Sequence, residues 1–86
     1  MINSSEQPVE WALLLYELDD AREHLESLTK EMAQSGEISE QAFAIHLGHV
    51  YAHMNRAWNS RSLEGDIPEE DWGRLSQFPE DLGPVC

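Results

Sequence analysis

Positive charge is scarce in this sequence. Five lysines and arginines stand against 17 aspartates and glutamates in 86 residues, a formal net charge of -12. Such a surface repels phosphate backbones and anionic headgroups, so no direct nucleic-acid binding and no membrane association are expected, and protein partners should be neutral or basic. Cysteine is scarcer still, with one at Cys86. A lone cysteine cannot close an internal disulfide, and at the last position it is not the fourth-from-last cysteine of a prenylation signal. Long apolar runs are missing too: Trp11 to Tyr16, the longest, is six residues, against the roughly 20 of a bilayer-spanning helix. No basic stretch leads into an apolar one, as it would in a secretory leader. The expectation is a soluble, cytoplasmic protein in which the Asn3-Ser4-Ser5 sequon is idle.

Catalytic signatures are also wanting. There is no glycine-rich phosphate loop, nucleophile motif or activated cysteine. Ser39 reads as a helix cap, Ser60 and Ser62 as exposed polar residues, and Asp19-Asp20 and Glu69-Glu70-Asp71 as solvated faces. Neither enzymatic activity nor a cofactor is expected.

What the chain does have is two apolar seams at alternating steps of three and four. The first runs Trp11, Leu14, Leu18, Ala21, Leu25, Leu28, Met32, and the second Phe43, Leu47, Val50, Met54, Ala57. That spacing puts one stripe on each of two helices. The first helix is expected over about 7–34, with Ser4 or Ser5 as its cap and Pro8 in its first turn, where a missing N–H costs nothing. Gly36 supplies its left-handed end and Ser39 caps the second helix, expected over 39–63 and closed by Gly65. A link this short makes the helices antiparallel. Pro68 and the acids after it open a short third helix over 68–77, Pro79 stops it, and 79–86 is a loose tail. The fold class is therefore all-α: an antiparallel two-helix hairpin with a short third helix, in a single domain. Because a domain of this size buries only about 60% of its unfolded surface, dimerisation into a four-helix bundle is expected.

Charge is distributed unevenly. Between Glu40 and Leu63 there are one acid, two arginines and three of the four histidines, so the second helix should be a covered one. His46, His49 and His53 share one shoulder of that helix, and Glu10, Glu17, His24 and Glu31 recur every seven residues on a shoulder of the first. In an antiparallel hairpin the two shoulders lie on the same side. A metal site could be assembled there from His49 and His53, completed by His24 or Glu17. Against it, His46 and His53 are about 10.5 Å apart along the axis, and neither a Glu-x-x-His motif nor a glutamate between His49 and His53 is present. The simpler reading is boundary histidines that pack their ring edges.

Partner-binding candidates are aromatic and aliphatic. Trp72, Leu75 and Phe78 recur at i+3, either to dock into a partner or to lid an apolar flank formed by Leu15, Leu47, Tyr51 and Trp58 opposite the histidines. Around Trp11, Leu13 and Tyr16 the first helix is apolar nearly all round, which marks this end, with Tyr51 and Trp58, as the self-association surface. Gly48 lies away from the seam and marks either a close backbone approach or a tolerated imperfection. The function these features suggest is a small acidic interaction or regulatory protein acting as a homodimer. The alternatives are a histidine-lined metal-binding bundle and an acidic decoy for a nucleic-acid-binding protein; for the decoy, acids scattered round the first helix lack the regular row it would need.

Overall fold

The computed structural model describes residues 2–85 and is all-helical, with no strand among them; Cys86 lies outside the described residues. Helix α1 spans Pro8–Ser35 and α2 spans Glu40–Asn59; a 3-10 turn at Glu69–Asp71 runs into a one-turn helix, α3, at Trp72–Leu75. Glu31 meets His46 and Glu17 meets Arg56, so α1 and α2 run in opposite directions along their length. Ala21, Leu28, Val50 and Ala57 are buried between them, and Leu75 of α3 and Pro79 after it are also buried.

Most helix ends follow local chemistry. Pro8 occupies the first turn of α1, and Gly36 at φ 73° donates its N–H to Met32 O, closing that helix in the left-handed conformation. Ser39 accepts from Ala42 N at 3.0 Å and so caps α2. The start of α1 differs from expectation. Asn3, not Ser4 or Ser5, organises the approach: its Oδ1 accepts from Ser5 N at 2.7 Å and Glu6 N at 3.3 Å, and the cap position falls to Gln7.

Helix α2 ends four residues before the expected Leu63. Ser60 N donates to Arg56 O, and Trp58 O is taken by Arg61, whose Nη1 donates to it at 2.8 Å while the guanidinium stacks 3.7 Å above the Trp58 ring and pairs with Asp81. Gly65 therefore is no helix cap. At φ 76° it turns the chain back towards α1, and its N–H donates to Glu10 Oε2 at 2.6 Å. The third helix is also shorter than 68–77, because α2 captures its end. Asn59 Nδ2 donates to Leu75 O and Gln77 O, both at 2.8 Å, and Asn55 Nδ2 donates to Ser76 O at 3.0 Å. These amides satisfy carbonyls that a longer helix would have used internally.

Gly48 has no packing reason. A Cβ built on it meets nothing within 4 Å, so no backbone approaches closely there. Gly48→Ala should stabilise the fold by about 0.5–1 kcal/mol, because alanine loses less backbone entropy on entering a helix. Urea unfolding checks this, and a loss of stability would mean that the space is used.

Candidate functional site

The hairpin has two unlike sides. On one, α1 and α2 present polar residues that interlock. Glu17 of α1 reaches across to Arg56, whose Nε donates to both carboxylate oxygens at 3.2 and 3.3 Å. Arg56 is 6% exposed, a burial that a guanidinium tolerates only when its donors are met. They are met: Nη1 donates to Ser76 Oγ at 2.8 Å, Nη2 lies 3.0 Å from His53 Nδ1, and the guanidinium sits 4.2 Å over the Trp72 ring. His53 Nδ1 is also 3.1 Å from Glu17 Oε2. Carrying a proton, that nitrogen donates to the carboxylate; without one, it accepts from the guanidinium.

The four residues expected to supply a metal site do come together. Their arrangement is a stack. The His24 ring lies 5.3 Å from His49 at an interplanar angle of 11°, and 5.3 Å from His53 at 24°. Ring nitrogens offer their lone pairs in the ring plane, so near-parallel planes cannot all aim at one ion. Both oxygens of Glu17 are engaged by Arg56. Among the described residues, no group of three or more histidines, cysteines and acids is placed to hold a metal ion. His46 stands apart, paired with Glu31 at 3.7 Å.

The partner-binding candidates divide between the two sides. Leu13 and Tyr16 lie on the polar side, in a cleft of about 160 Å³ whose other wall is Ile67 and Trp72. Trp72 is tied to Arg56, and Leu75 is buried. Phe78 stacks on Tyr51 with centroids 5.7 Å apart, and Trp58 Nε1 donates to Asp81 Oδ1 at 2.9 Å. The third helix is thus held by its own chain, and with the residues that follow it reaches only half of the expected flank, at Tyr51 and Trp58. The polar docking surface of Asn55, Arg56 and Asn59 draws it to the back of α2, leaving Leu15 and Leu47 exposed.

The other side is apolar and open. Leu18, Leu25 and Met32 of α1 and Phe43, Leu47 and Met54 of α2, all expected in the seam, are exposed, Leu18 by 50% and Met54 by 54%. Two helices can cover only the inner half of each stripe. At the open end of the hairpin the face deepens into an apolar groove of about 290 Å³ between Leu14, Leu18, Met54, Trp58 and Leu82, beside a hollow of about 210 Å³ between Ile2, Trp11 and Leu15. Of the residues that α1 turns to this side at helical spacing (Trp11, Leu15, Leu18, Arg22, Leu25, Thr29, Met32), none is acidic.

The acids lie elsewhere, and some are held in place. Glu10 has its carboxyl lowered below the usual range, chiefly by the Gly65 N–H, and Asp81 is lowered chiefly by the Trp58 indole N–H. Each of the five Lys and Arg side chains is committed to an acid of its own chain: Arg22, Lys30, Arg56, Arg61 and Arg74 pair with Asp19 and Glu26, Glu26, Glu17, Asp81 and Asp71. No cation is left over among the described residues to recognise a phosphate. No described helix is long and apolar enough to cross a membrane. No family model, curated protein or solved structure matches the chain.

Proposed function

We propose that this protein is a non-catalytic interaction module whose working surface is the open apolar face of the hairpin. One observation carries the reading: in a chain of net charge -12, exposed Leu, Met and Phe residues of α1 and α2 line one side of the hairpin, and the α1 part of that side is free of acids. Exposed apolar surface of this extent is costly in water and is retained where something covers it. The polar side supplies the complementary half of the argument. Its ion pairs, stacked histidines and amide-to-carbonyl bonds are satisfied within the chain, which suits a scaffold rather than a reactive centre. Regulation through contact, by a cytoplasmic protein without cofactor or catalysis, is the function this division supports. The scarcity of cysteine agrees with that compartment.

The test is affinity capture from the native host, comparing wild type with two variants. Leu18→Lys places a charge in the middle of the face, and His24→Ala removes a ring from the opposite side. Proteins captured by wild type, copies of the chain included, should be lost with Leu18→Lys and kept with His24→Ala. The reverse pattern would move the working surface to the histidine side.

A further inference from the structure

We infer that the occupant of the open face is a second copy of this chain, two hairpins packing face to face about a two-fold axis into a four-helix bundle. The inference rests on the reading of that face as an interaction surface and adds the identity of what covers it.

The first support is area. The chain exposes 6560 Å², whereas a compact monomer of 9.8 kDa exposes about 5,200 Å². The excess, about 1,400 Å², exceeds the roughly 800 Å² that each partner gives to an interface of standard size. The radius of gyration agrees: 14.8 Å, against about 12 Å for a compact domain of this length. The molecule has the surface of half an assembly.

The second support is charge. A partner chosen for basic residues would be met by acids, and this face offers none along α1. A second copy brings another -12, which would oppose association if its acids lay along the contact. On α1 they lie off it, and on α2 one acid, Glu40 at the turn end of the hairpin, falls in the seven-residue row of Leu47 and Met54. The edge of α1 bordering the face carries Asp19, Arg22 and Glu26, already ion-paired among themselves. Like-charge repulsion between the remaining, more distant acids is screened over about 8 Å at physiological salt.

The third support is pattern. Leu18, Leu25 and Met32 repeat at intervals of seven, as do Leu47 and Met54 on α2. Seven-residue rows of long apolar side chains are what interdigitate between helices that cross at shallow angles, and two-fold pairing lets one such surface complement itself. The chain's own third helix is fastened to Asn55, Arg56 and Asn59 at the back of α2, and the segment after it touches the face only at the open end, where Leu82 lines the groove beside Trp58.

Sedimentation equilibrium on the full chain at micromolar concentration should give twice 9.8 kDa. Leu25→Glu should give the single-chain mass, with helical circular dichroism confirming that it folds. Should that variant lose its helical signal, Met54→Gln provides a milder change, expected to weaken dimerisation by roughly tenfold or more because each substitution enters the interface twice. Tyr16→Glu, on the polar side, should leave the dimer intact. A wild-type chain that stays at single mass at high micromolar concentration, or a dimer insensitive to Leu25→Glu and Met54→Gln, would overturn the inference. If such a monomer still lost its captured partners on Leu18→Lys, the interaction reading would stand with a different occupant; if it did not, both would fall.

Discussion

Arg56→Leu should cost about 3–5 kcal/mol, comparable to the whole stability of a domain this small. The guanidinium does three things from one buried position: it neutralises Glu17, holds the Ser76 hydroxyl, and lies against Trp72. Leucine fills part of the volume but leaves the carboxylate of Glu17, whose side chain is 15% exposed, without its cationic partner. An uncompensated buried charge is the larger part of the loss, so removing it as well should recover much of the stability. Glu17→Leu combined with Arg56→Leu is accordingly expected to be more stable than Arg56→Leu alone, and the double-mutant cycle measures the coupling. Urea unfolding followed by circular dichroism reads all three variants. A loss below about 1 kcal/mol for Arg56→Leu would show that the cluster contributes no more than a surface ion pair.

Leu28→Ala should be the most damaging change in the apolar core. Leu28 is the one large side chain that is fully buried, at 2% exposure. Truncating it removes buried methyl groups and leaves a cavity that neighbouring helices cannot fill, at a cost of about 3 kcal/mol. For a domain of this size that lowers the melting temperature by roughly 15 °C. Leu25→Ala, three residues away in the same seam, should cost about 1 kcal/mol or less in the isolated chain, because Leu25 is 44% exposed. Thermal melts at low concentration compare the two directly, and equal losses would mean that Leu25 is covered in solution.

Leu25 and Leu28 also show where sequence reading reaches its limit. Periodicity places both on the apolar stripe of α1 but cannot say which edge a neighbour covers, since two helices cover the inner half of a stripe and a third element must choose a side. That choice was made by Asn55, Arg56 and Asn59, polar residues on the back of α2 that carry no apolar signal. The helix ends governed by local backbone chemistry, at Pro8, Gly36 and Ser39, were readable. The end of α2 was not, because it depends on Arg61 reaching Asp81, twenty residues further on. Heptad spacing brought Glu17, His24, His49 and His53 to one side of the hairpin correctly. It gave no hint of Arg56, which occupies the carboxylate that a metal would need and turns the group into an ion-paired stack. Arginine within a histidine-rich, acid-poor helix was the available signal.

The placement of the aromatic rings has a spectroscopic consequence. All three tryptophans, Trp11, Trp58 and Trp72, belong to the open end of the hairpin, where Gly65 meets Glu10 and the tail meets Trp58. The turn between Ser35 and Glu40 carries none, and the ion pair nearest to it that joins the two helices is the His46–Glu31 contact at 3.7 Å, whereas Glu17 pairs with His53 and Arg56 nearer the open end. Intrinsic fluorescence therefore views one end of the molecule and is blind to fraying at the other, whereas amide hydrogen exchange, read residue by residue, registers the two ends separately.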